Sequence, residues 1–158
     1  MTRQKETTMQ RLGRAALVVP LCLLLLPILL LAAIFYWMYR ITLYLLIWLL
    51  WLRNGKDVLF VYSDSPIWHE YMTTQILPLV QERAVVLNWS ERNTWPRWSL
   101  AVRVFHMFSS GRDFNPAILL FRPFRGAKSF RFFSAFKEWK HGKTGQVERL
   151  RSELTQAL

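Results

Sequence analysis

Apolar residues fill the chain from Ala15 to Leu52 almost without a break, the interruptions being Arg40, Pro20, Pro27 and Thr42. A soluble domain cannot hide so long a run of Leu, Ile, Phe and Trp, so the pattern predicts a membrane-embedded segment. A helix from Ala15 to Tyr39 would reach about 37 Å at about 1.5 Å per residue, enough to cross a hydrocarbon core of about 30 Å with some tilt. Tyr36, Trp37, Tyr39 and Arg40 then form an aromatic and basic collar at the far interface, where such rings prefer to lie. The stretch Ile41 to Leu52 would reach only about 18 Å, too short to cross back, so it is expected to continue in the interface or to pack on a partner. Trp37, Tyr44, Trp48 and Trp51 fall near one helical stripe, read first as a headgroup-level belt and second as a protein contact face. The alternative is a hairpin that dips into one leaflet and returns.

Before this run, residues 1–14 are polar with four basic side chains and read as a disordered or interfacial arm. Leu31-Ala32-Ala33 is followed by further apolar residues rather than polar chain, which predicts an uncleaved anchor and not a signal peptide. Basic residues flank the run on both sides, so the positive-inside rule leans only slightly to a cytoplasmic amino terminus. Asn54-Gly55 closes the module.

The pattern then changes to short apolar runs separated by turn residues. Asp57 to Tyr62 (DVLFVY) reads as a buried strand. Ser65, as N-cap, and Pro66 open a helix that takes Ile67, Tyr71, Ile76, Leu77 and Val80 on its apolar face, with a kink expected at Pro78. Ala84 to Trp89 reads as a second strand, and Thr94-Trp95-Pro96 starts a helix carrying Leu100, Val104, Phe105 and Phe108 until Ser110-Gly111. Pro116 to Phe121 and Ser129 to Phe133 read as a hairpin around Arg125-Gly126-Ala127-Lys128. A last helix, Thr144 to Leu158, gathers Val147, Leu150, Leu154, Ala157 and Leu158 on one stripe.

Charge and cysteine content narrow the function. The net charge of +11 divides into +4 for residues 1–52 (five Lys and Arg against Glu6) and +7 for the rest (sixteen against nine acids). On a tethered domain the nearest anionic surface is a lipid leaflet, which ranks ahead of nucleic acid. The hairpin holds the densest basic set, Arg122, Arg125, Lys128 and Arg131, alternating with Phe121, Phe124, Phe130, Phe132 and Phe133. Phe inward and Arg outward, facing anionic headgroups, is the preferred reading. The single cysteine, Cys22, lies in the apolar run, so residues 53–158 contain no thiol nucleophile, disulfide or cysteine metal site.

The order strand, helix, strand, helix, proline-entered hairpin, closing helix resembles the core of the thioredoxin fold. The residues that carry the resemblance are Asp57-Val58-Leu59-Phe60-Val61-Tyr62, Asn115-Pro116-Ala117-Ile118-Leu119-Leu120-Phe121 and Gly145-Gln146-Val147-Glu148-Arg149-Leu150. It implies a mixed four-stranded sheet with flanking helices over residues 56–158, and a cis Asn115–Pro116 bond before the third strand. It also implies a surface beside that proline, made by Trp68, His69, Glu70, Asn115 and Pro116, that holds an extended peptide. Ile67-Trp68-His69-Glu70 stands where the family keeps its two cysteines, so no thiol–disulfide exchange is expected.

His69-Glu70 has Thr73 where a zinc-protease helix needs its second histidine, so no metal and no cofactor is expected. Asp64, between Ser63 and Ser65 after the first strand, reads as a turn and cap residue rather than a catalytic acid. The resulting expectation is a basic arm (1–14), a transmembrane helix with an aromatic interfacial extension (15–52) and a redox-inactive thioredoxin-like domain (56–158). This single-pass protein would be a binding or assembly module at a membrane surface, with the bilayer and a protein as partners. The alternative is a membrane-tethered transferase-type enzyme on a three-stranded parallel Rossmann-like domain, with Asp64, His69 or Glu70 as acid or base. A third strand antiparallel to the first separates the two.

Overall fold

A computed structural model describes the backbone at all positions but 1, 110 and 112, and the side chains from Leu24 onward with the same two internal exceptions. The basic arm 1–14, the apolar run up to position 23 and the expected helix end at Ser110 fall outside the residues so described. The chain divides into two compact units, Met1–Thr42 and Leu43–Leu158.

The first helix, α1 (Thr2–Leu46), supplies nearly all of the first unit. From Leu24 to Tyr39 its side chains are exposed, Leu24, Leu29 and Phe35 by about two-thirds. Within this apolar surface Thr42 Oγ1 donates to the Met38 carbonyl (2.9 Å), and the Arg40 guanidinium lies 5.6 Å from the Trp37 ring. Among the described residues one helical stretch, Leu24–Asn54, is long and apolar enough to cross a membrane, with a mean hydropathy of 1.9.

The second unit begins at Leu43, well ahead of the expected boundary at Lys56. Leu43 and Ile47 are buried in it, and Trp51 almost so, because the i, i+4, i+8 spacing puts all three on one helical face. That face continues through a π-helical turn, Ile47–Trp51, and a 3₁₀ turn, Leu52–Asn54, which ends at Gly55 in the left-handed region (φ 70°). The expected interfacial extension is therefore divided: Leu43, Ile47 and Trp51 enter the core of their own domain with Tyr44 and Trp48 packed partly against it, while Leu45, Leu49 and Leu50 stay exposed.

Strand β1 (Val58–Tyr62) leads to α2 (His69–Tyr71), a π-helical turn (Met72–Ile76) and α3 (Leu77–Val80). Pro78 has no N–H to donate, and the helix meets it by widening: Leu77 N–H bonds back to the Met72 carbonyl. The kink expected there takes this form. Strand β2 (Ala84–Asn88), a 3₁₀ segment (Trp89–Thr94) and α4 (Leu100–Phe108) follow. Next come β3 (Ala117–Leu120), β4 (Lys128–Arg131), α5 (Phe133–Trp139) and α6 (Gly145–Ala157). Sequence alone missed α5 and ran the fourth strand through Phe133; the ladder ends where Phe132 N–H reaches the Pro116 carbonyl, and Ala135, Phe136 and Trp139 then follow a helical spacing.

The four strands form one mixed sheet in the order β2-β1-β3-β4. β1 is parallel to β2 and antiparallel to β3, which is antiparallel to β4. The antiparallel third strand rules out the all-parallel alternative, and Asn115–Pro116 is cis. Alternate residues feed two cores, as the period of two demands. Val58, Phe60, Ile118 and Leu120 meet Met72, Ile76, Phe136, Val147 and Leu154 on one face. Leu59, Val61, Leu119 and Phe121 meet Leu43, Ile47, Trp51, Val104 and Phe105 on the other.

Candidate functional site

The carboxyl end of β1 delivers Ser63, the one buried polar side chain among the described residues. Its hydroxyl accepts from Trp68 Nε1 (3.0 Å) and from Asn115 Nδ2 (2.9 Å), joining the first helical segment to the residue before Pro116. The Trp68 ring rests edge-on to Phe133 and tilted to Phe136, so α5 supports it from below. Pro116 is buried, while Trp68 and Asn115 are half-buried, and the Asn115 Oδ1 atom is buried without a hydrogen-bond partner among the described residues. Two N–H donors occupy the Ser63 oxygen, the opposite of what activates a hydroxyl nucleophile.

Trp68 and Asn115 thus meet at Ser63, next to Pro116. His69 and Glu70 do not join them. Glu70 is exposed, and its carbonyl accepts from Thr73 and Thr74 hydroxyls. His69 turns to the Tyr62 ring (5.7 Å) and leaves Nδ1 3.5 Å from Asp64 Oδ1, in an orientation that forms no hydrogen bond.

A polar patch not foreseen from sequence surrounds that histidine, where the parallel strands β1 and β2 both end. The Asp64 carboxylate accepts from Asn88 Nδ2 (3.1 and 3.3 Å), whose amide also reaches Glu91 Oε1 (3.3 Å). Asp64 N–H donates to Ser90 Oγ (3.0 Å), and Ser90 N–H donates to Asn88 Oδ1 (3.0 Å). Burial, then the charges of Asp64 and Glu91, raise the Tyr62 phenol above its ordinary value. Asp64 ties two loops together rather than capping a helix: its carboxylate accepts from the Asn88 side chain, α2 has no side-chain cap, and Ser65 Oγ accepts only a long bond from Ile67 N–H (3.4 Å). No three or more His, Cys, Asp or Glu side chains are grouped to hold a metal among the described residues.

Of the basic residues, Arg122, Arg125 and Lys128 lie toward the opposite end of β1, whereas Arg131 is at the Ser63 end of the sheet. Arg122, Arg125 and Lys128 line a cleft of about 490 Å³, and Arg122 and Arg125 also line a larger one of about 860 Å³. Arg131 is farther along β4, opposite Ala117. Arg122 donates to the Ala157 carbonyl, and Lys128 Nζ lies 4.8 Å from the Phe130 ring. The alternation holds for Phe121, Phe130 and Phe132, all buried, and fails at Phe124, which is 89% exposed. The larger cleft also holds a bidentate pair: Arg83 donates to both Asp57 carboxylate oxygens and, at 2.8 Å, to the Leu158 carbonyl. Hydrogen bonding to Asp57 raises the Arg83 pKa further.

Comparison with models of known families, with characterised proteins and with solved structures finds no match to this chain. The site is therefore interpreted from its own geometry.

Proposed function

We propose that this chain is a membrane-anchored, redox-inactive thioredoxin-like module that binds or assembles proteins at a membrane surface. The observation that carries the reading is the Ser63 hydroxyl, which fixes Trp68 and Asn115 beside Pro116 at the end of β1. The mixed sheet, with β1 parallel to the edge strand β2 and antiparallel to β3 of the hairpin, supports the reading. Leu24–Asn54 supplies the anchor. Recognition is without chemistry: an extended segment lies along the surface beside Pro116, with the half-buried Trp68 as its aromatic anchor. Arg122, Arg125 and Lys128, with Arg131 farther along β4, face anionic headgroups.

The test is co-purification from detergent extract. Trp68→Ala and Asn115→Ala are expected to lower recovery of bound protein several-fold while the chain still fractionates with membranes. Recovery unchanged in both variants would sink the groove. The approach of His69 to Asp64 favours a second reading, a tethered transferase-type enzyme with an acid–base pair there. No glycine-rich phosphate loop accompanies that pair, and both loops are committed to structural bonds.

A further inference from the structure

We infer that one edge of the domain, built from Leu45, Leu49, Trp48, Phe124, Arg122 and Arg125, is seated in the surface of an anionic lipid bilayer. The inference rests on the membrane-anchored reading and deepens it.

Between Leu43 and Asn54 one helical face enters the domain core, and the opposite face should then be polar in a water-facing domain. Instead Leu45 is 54% and Leu49 60% exposed. They adjoin Trp48, whose ring stands 5.0 Å from that of Phe124. Phe124 has φ +58°, a left-handed conformation that bulky side chains rarely adopt, and it presents its ring outward. The Tyr44 hydroxyl accepts from Ala127 N–H at 2.9 Å and pins the same loop to the helix. A strained backbone that holds an aromatic ring in the open is without purpose in water and suited to an interface, where rings settle at headgroup depth.

Charge selects the occupant. Arg125, next to Phe124, makes no side-chain hydrogen bond or ion pair among the described residues, so its guanidinium is free for lipid phosphate. Arg122 reaches the Ala157 carbonyl with one nitrogen and keeps further donors. The apolar stretch Leu24–Asn54 runs directly into this edge in the chain, so the bilayer is tethered to it by covalent continuity. Leucines flanking paired aromatics, with arginines at the rim, match an acyl boundary topped by anionic headgroups better than a protein surface.

The test uses the full chain with Cys22→Ser, a nitroxide label at Phe124→Cys, and vesicles either rich in phosphatidylglycerol or of phosphatidylcholine alone. Access to lipid-dissolved oxygen and to a water-soluble nickel chelate is measured. In phosphatidylglycerol the label should meet oxygen and be shielded from the chelate, whereas a label at Asn93→Cys, beyond the far end of β2, should stay open to the chelate. Adding Arg125→Glu should shift the ratio toward water by about thirtyfold, the effect of two charge units near an anionic leaflet. A chelate-exposed label in phosphatidylglycerol overturns the inference, and so does shielding from both reagents, which a second copy covering the ring would produce. Equal values in the two lipids, unmoved by Arg125→Glu, overturn it too. A label at Leu30→Cys separates the failures: oxygen access there with water at position 124 sinks this edge alone, and water at both sinks the anchor.

Discussion

At the scale of single residues the best-defined feature is the hydroxyl of Ser63, because two distant N–H groups converge on it. Ser63→Ala removes the acceptor for both and leaves them to find water; each donor that stays dry costs about 1–3 kcal/mol. The expected outcome is a clear loss of stability in denaturant titration, with Ser63→Thr losing less. The tyrosines make a second prediction. Tyr62 is raised by burial and by Asp64 and Glu91, and Tyr71 by burial and by Glu148, to which its hydroxyl donates (3.1 Å). Both hold their protons more tightly folded than unfolded. Their contribution is therefore fully present below the ordinary tyrosine value of 10.0 and is lost as pH rises through the raised values. Stability should fall above that pH, and Tyr62→Phe with Tyr71→Phe should flatten the fall. An equal slope in the double variant would count against both assignments.

Whole elements follow rules that the sequence states unevenly. β1, β2 and β3 were legible as short continuous apolar runs bounded by turn residues, and α6 by its helical apolar stripe. Three features were not. Phe132-Phe133 reads as strand by composition, yet the chain turns helical there because Phe136 and Ala135 fill the core under the sheet. The π-helical turn ahead of Pro78 depends on a five-residue bond that no periodicity announces. The helix through Ile47 is apolar on every side, so sequence could not say which face meets protein. The structure separates the faces, and a paired substitution checks it. Ile47→Ala empties a fully buried site and should cost about 2–5 kcal/mol of domain stability, while Leu49→Ala, 60% exposed, should cost well under half of that. Equal losses would mean that the faces are assigned wrongly.

For the molecule as a whole, the succession of the four strands was readable from the chain because each is short and bounded by turn residues, and the four pair into one mixed sheet. The domain boundary was not readable. Asn54-Gly55 punctuates the sequence and Gly55 does end the 3₁₀ turn, yet the compact unit begins at Leu43, because one sheet face has α4 as its other helical cover. Ser63, Asn115 and Trp68 were likewise separable only in part: Asn115 and Trp68 stood out by position, but a serine bond across so many residues leaves no local signal. The boundary yields a final prediction. A chain beginning at position 56 lacks Leu43, Ile47 and Trp51 and leaves Leu59, Val61, Leu119 and Phe121 without half of their cover. Several buried side chains of that size represent more than the net stability of a small domain, which is on the order of 5–15 kcal/mol. This chain should show no cooperative unfolding and little amide protection in β1 and β3. A chain beginning at position 43 keeps the cover but exposes Leu45, Leu49 and Leu50, so it should fold cooperatively in mild detergent and aggregate without it. Cooperative unfolding of the shorter chain, measured by circular dichroism and hydrogen exchange, would return the boundary to the turn at Gly55.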